Sequence, residues 1–161
     1  MQFFSPAITS TSRARAPGDF VLIDGGDGVH PAVFVHNGQS MYVLDFMSVH
    51  PEGDTRFAIH TIDSFNYDTL LHVPNARIVP TIVPEKLVRG RPEGFGRSKV
   101  LYLSESGPLV YAHFMRSSAC INLSTGVIAN VDTAYELHTT QWRIEVGVGD
   151  GHYQTLADFT A

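Results

Sequence analysis

Apolar and polar positions alternate with a period of two through Trp142-Arg143-Ile144-Glu145-Val146-Gly147-Val148, the pattern of a strand that buries one face. A helix would scatter those apolar side chains around its circumference. Val33-Phe34-Val35-His36 and Met41-Tyr42-Val43-Leu44 flank Asn37-Gly38, a pair that readily takes the left-handed conformations of a type I′ turn, so residues 33 to 44 predict a hairpin. Lys99 to Leu103 and Leu109 to Phe114 flank Ser104-Glu105-Ser106-Gly107-Pro108, and Ala119 to Leu123 and Val127 to Val131 flank Ser124-Thr125-Gly126. Two more hairpins follow by the same logic. Asp63 to Leu71 is the most helix-compatible stretch, because Phe65, Tyr67, Leu70 and Leu71 do not alternate cleanly.

Local propensity agrees with the pattern. Val, Ile and Thr number 16, 9 and 12, whereas Glu and Lys together number only eight, which favours strands over surface helices. The expected fold is all-β, mostly antiparallel hairpins with little helix, arranged as a sandwich or as paired small barrels. Residues 1–17, rich in Ser and Thr with Arg13 and Arg15, read as an N-terminal arm. Residues 84–98 read as a basic linker or long loop between a first β unit at 18–83 and a second at 99–161, unless 18–161 forms one fused domain.

An internal repeat sharpens this division. Pro31-Ala32-Val33-Phe34-Val35-His36 matches Pro108-Leu109-Val110-Tyr111-Ala112-His113, and Asp54-Thr55-Arg56-Phe57-Ala58-Ile59-His60-Thr61 matches Asp132-Thr133-Ala134-Tyr135-Glu136-Leu137-His138-Thr139. With Val21-Leu22 against Val100-Leu101, the offset stays between 77 and 79. A unit of about 43 residues has too small a core to stand alone, so two duplicated units are expected to bury their apolar faces together.

The chain has 161 residues, enough for one ordinary domain. An apolar share of 43% with 17% charged residues argues against intrinsic disorder. A net charge of −5 supplies no overall positive field for nucleic acid or anionic membrane. The lone Cys120 excludes an internal disulfide framework and a cysteine-based zinc cage within one chain. Met1-Gln2-Phe3-Phe4-Ser5-Pro6 has neither the basic nor the apolar region of a secretory signal, and no apolar run is long enough to span a bilayer. A soluble protein of the cytoplasm or of a virion is expected.

Candidate chemistry is sparse. The repeat pairs His36 with His113 and His60 with His138, and imidazoles brought together about a pseudo-twofold axis would suit zinc, copper or nickel. Without His-x-His or His-Glu-x-x-His spacing, satisfied structural histidines are the expected outcome. Asp24-Gly25-Gly26-Asp27-Gly28 clusters carboxylates without calcium-loop spacing, so a solvated hairpin turn is expected there. No nucleophile elbow or phosphate loop is present, Cys120 sits mid-strand as a small buried side chain, and no catalytic residue or cofactor is assigned. Lys86, Arg89, Arg91, Arg97 and Lys99 around Phe95 form the one basic cluster, suited to holding phosphates while stacking a base. Phe3, Phe4, Ile8, Arg13 and Arg15 equip the arm to pack against a neighbour.

Pro17-Gly18-Asp19-Phe20-Val21-Leu22 followed by His30-Pro31-Ala32-Val33 resembles the opening hairpin of SH3-like barrels; the likeness is confined to those residues and carries no functional residue over. The leading expectation is a non-catalytic structural or interaction protein, a homo- or hetero-oligomeric subunit of a larger assembly such as a virus or phage particle. The alternatives are a small hydrolase-type enzyme whose His and Asp residues meet only in the fold, and a ligand- or nucleic-acid-binding module using the 86–99 loop.

Overall fold

A computed structural model describes residues 8–9, 16–49, 55–62, 70–90, 99–129, 132–133 and 136–160. The fold is all-β with two sheets and little helix; a 3-10 turn spans Pro84–Lys86. The strands of the first half are β1 (Ile8–Thr9), β2 (Phe20–Asp24), β3 (Val29–His36), β4 (Met41–Val49), β5 (Thr55–Thr61), β6 (Leu71–His72), β7 (Ala76–Pro80) and β8 (Val88–Arg89). Those of the second half are β9 (Leu101–Ser104), β10 (Gly107–Phe114), β11 (Ser117–Asn122), β12 (Val127–Ala129), β13 (Leu137–Thr139), β14 (Trp142–Gly149) and β15 (His152–Asp158). All three expected hairpins and the 142–148 strand are present. The first turn differs from type I′. His36 pairs with Met41, leaving Asn37–Ser40 as the loop, and only Gly38 is left-handed (φ 90°). The Asn37 side chain accepts the N–H groups of Gln39 and Ser40 through Oδ1, and its backbone N–H donates to the Ser40 carbonyl at 3.3 Å, so side chain and backbone both fix the turn. The helix-compatible stretch at 63–69 lies outside the described residues; Leu71, at its end, is on β6.

Two antiparallel meanders, β2-β3-β4-β5 and β9-β10-β11-β12, form the body. They join reciprocally. The last strand of the first pairs in parallel with the second strand of the other, Ala58 opposite His113, and the last strand of the second does the same in return, Val127 opposite His36. Strands β3, β4, β5, β10, β11 and β12 thus close a six-membered ring. Registers inside the meanders also match: Ala32 faces Asp45 as Leu109 faces Asn122, and Phe34 faces Val43 as Tyr111 faces Cys120, each 77 positions on. The links differ. Asp24 pairs with Val29 around four residues, whereas Ser104 pairs with Gly107 around two. Beyond this point the sequence match and the topology part company, because His60 lies on ring strand β5 while His138 lies on β13, outside the ring.

The largest buried cluster takes Val33, Val35, Tyr42 and Leu44 from the first meander and Val110, Ala112 and Ile121 from the second. Sheet β15-β14-β7 adds Trp142, Ile144, Val146 and Ala157, and Phe159 follows it. The opposite faces of the same strands carry two smaller clusters at matching positions: Val21, Ile23, Ala32, Phe34 and Val43 in one, and Val100, Tyr102, Leu109, Tyr111 and Cys120 in the other. Burial of both faces explains why β3 reads as a nearly continuous apolar run rather than a clean alternation.

Candidate acid–base site

Within the run Tyr42-Val43-Leu44-Asp45-Phe46, the single charged residue is only 4% exposed. A carboxylate taken out of water needs hydrogen-bond donors. Asp45 finds two kinds. Its Oδ1 accepts the Met47 N–H at 2.8 Å, and both of its oxygens lie 3.2 Å from Nδ1 of His30, itself 6% exposed. The β4–β5 ladder shifts register between Asp45 and Ser48, a bulge that sends Phe46 into the core and leaves Ser48 beside Asp45 on the cleft wall.

The second ring nitrogen of His30, Nε2, lies 2.8 Å from Oδ1 of Asp27. Asp27 belongs to the Asp24–Gly28 link, held by the Gly25 N–H on the Gly28 carbonyl and by the Gly26 N–H on Asp24 Oδ1, at 2.8 and 2.9 Å. Gly25 permits the close approach of the imidazole, because a Cβ there would lie 2.3 Å from His30 Cε1. These groups wall a cleft of about 560 Å³, completed by Ser48, Val49 and His60. Among the described residues its carboxylates come from Asp24, Asp27 and Asp45, and no Lys or Arg lines it. An imidazole oriented by a buried carboxylate at the edge of a cleft is the arrangement that proton transfer needs.

The second meander carries the matching position without a histidine beside it. Asn122 stands where Asp45 stands, and its Oδ1 accepts the N–H two residues on, from Ser124, as Asp45 does from Met47. It also accepts from Thr125, and its Nδ2 donates to the Ser106 carbonyl at 2.7 Å. Where the first meander has His30 the second has Gly107, again 77 positions on. The backbone cap is common to both meanders; the histidine, the negative charge and the longer link carrying Asp27 belong to one.

Fold and site thus define a class: an all-β chain with a His–Asp cleft on one of two matching meanders. Comparison with protein-family models, with curated proteins and with solved structures finds no match to this chain.

The sequence-predicted histidines fall on four strands. His36 ends β3 and its Nδ1 accepts the Gly38 N–H at 3.3 Å; His60, on β5, lines the cleft. His113 is exposed on β10, and His138 is buried on β13 opposite Tyr102, where burial pushes its pKa below the usual value. Among the described residues no three His, Cys, Asp or Glu side chains form a group that could hold a metal ion. In the basic cluster, Lys86 Nζ donates to Gln141 Oε1 at 3.4 Å, Arg89 is exposed on β8, and the Lys99 carbonyl accepts the Trp142 indole N–H at 2.7 Å. Arg91, Phe95 and Arg97 lie outside the described residues, as do Phe3, Phe4, Arg13 and Arg15 of the arm; Ile8 pairs with His72 in the β1–β6 ladder. Asp27, His30 and Asp45 were legible only as a hint: an aspartate inside an apolar strand requires a partner, but the sequence does not say which.

Proposed function

We propose that this chain is a small acid–base enzyme of the hydrolase type, in which His30, oriented by Asp45, takes a proton from a hydroxyl or water bound in the cleft. The single observation that carries the reading is the buried Asp45–His30 pair opening onto the 560 Å³ cleft. The matching meanders support it, since Asn122 and Gly107 accompany the same register without an imidazole or a charge. Descent of both meanders from one duplicated unit is part of the same proposal, supported by the reciprocal β5–β10 and β12–β3 pairings. The test is turnover of p-nitrophenyl acetate and p-nitrophenyl phosphate by the wild type and by His30→Gln. The wild type hydrolyses at least one of them, and the variant loses about 100-fold or more of that rate. Equal rates in the two proteins, or none with either compound, count against the reading.

A second reading, a subunit that docks on neighbours in a larger assembly, is supported by the edge strand β8, where Val88 is exposed and, among the described residues, pairing occurs only with β13. Unpaired edges recruit further strands. Mass by light scattering tests it: a defined oligomer that Val88→Lys weakens supports this reading, and a monomer at all concentrations opposes it.

A further inference from the structure

We propose that Asp27 is an intramolecular stop on His30, and that the Asp24–Gly28 link is the part of the cleft that moves when a ligand enters. This rests on the reading of His30 as a proton acceptor. An ionised carboxylate only accepts hydrogen bonds, so each contact to the ring requires a hydrogen on the nitrogen it touches. Asp45 claims the hydrogen on Nδ1. Asp27, at 2.8 Å, claims one on Nε2, the remaining nitrogen. A base must offer a bare nitrogen, so His30 accepts no proton while Asp27 stays in place.

The build of the link separates a fixed carboxylate from a releasable one. The Asp45 side chain is 6% exposed and also held by the Met47 N–H, whereas that of Asp27 is 54% exposed and has water to turn into. Gly25 is pinned against the imidazole, yet Cβ atoms built at Gly26 and Gly28, on either side of Asp27, would meet nothing within 4 Å. The matching β9–β10 link is two residues shorter, so the added length of the first link is what carries Asp27 over the ring.

Diethyl pyrocarbonate, which carbethoxylates a bare imidazole nitrogen, tests this on the full chain at neutral pH, with peptide mass mapping and exposed His113 as internal reference. In the wild type His30 reacts about tenfold or more slower than His113, and Asp27→Ala raises the His30 rate by about tenfold while leaving His113 unchanged, as loss of one charge-assisted hydrogen bond implies. Asp27→Glu, which keeps a carboxylate, stays near the wild-type rate. A His30 rate unchanged by Asp27→Ala, or a wild-type His30 as reactive as His113, overturns the stop. Failure of ester and phosphate hydrolysis instead overturns the acid–base reading, so the two failures are told apart.

Discussion

Asp45 and Asn122 occupy matching register positions on β4 and β11, and each accepts the backbone N–H of the residue two places on. One fold therefore uses an amide and a carboxylate for the same backbone task. Asn122→Leu strips acceptors from the Ser124 and Thr125 N–H groups and the donor from the Ser106 carbonyl. A stability loss of about 1–2 kcal/mol is expected in urea unfolding, since Ser106, Ser124 and Thr125 are exposed and water can take up their freed groups, leaving the net worth of about 0.5–1.5 kcal/mol per hydrogen bond.

Gly25→Ala drives a methyl into the His30 ring, with distances of 2.3 to 2.6 Å to its ring atoms. The ring must leave Asp45, so the His30 imidazole resonances shift and stability falls by about 1–3 kcal/mol. Gly26→Ala meets no atoms but adopts φ 84°, and it costs about 1–2 kcal/mol with the His30 resonances unmoved. Identical spectra for the two variants would falsify the close approach at Gly25.

The fully buried Trp142 touches Phe46, Phe57 and Phe159 and donates its indole N–H to the Lys99 carbonyl. Trp142→Ala should cost about 3–5 kcal/mol, read by circular dichroism in urea. A loss under 1 kcal/mol, roughly that of a surface change, would remove Trp142 from the core.

Three buried groups, His138, Glu145 and Cys120, make pH and thiol chemistry readable. Burial lowers the His138 pKa, so in the window between its folded value and the ordinary value near 6.5 the unfolded chain binds a proton that the folded chain refuses. Stability from this group is present above pH 6.5 and is lost as pH falls; His138→Gln flattens that slope, and an unchanged slope contradicts it. Glu145, held low by hydrogen bonds from Arg143 and then Arg77, acts in a separate, more acidic window, its stabilisation present above the ordinary carboxylate range and lost below it.

Burial pushes the Cys120 thiol up to about 11, leaving little thiolate at pH 8. Ellman's reagent should react with it only after unfolding, and immediate labelling of native protein would place it at the surface.

Strand periodicity made the three hairpins and β14 readable, because alternation and turn residues are local signals. The ring was not readable: its closure depends on Ala58 meeting His113 and Val127 meeting His36, contacts between residues more than fifty positions apart. The repeat placed His36 and His113 at equivalent ends of β3 and β10, but it set His60 beside His138, which the topology puts on unlike strands. The site escaped for a related reason. Asp24-Gly25-Gly26-Asp27-Gly28 reads as a solvated turn, and it is a turn, but only the β2–β3 pairing brings Asp27 over His30 and only the β3–β4 pairing brings Asp45 beneath it.

The central claim is that His30 and Asp45 serve chemistry rather than the scaffold, and urea unfolding of the double variant His30→Gln, Asp45→Asn tests it most directly. Neutral partners that keep the Met47 cap and can still hydrogen-bond each other should hold stability within about 1 kcal/mol of the wild type, the net worth of one hydrogen bond. A loss of about 3–5 kcal/mol, the size expected when a pair the fold depends on is broken, would contradict it.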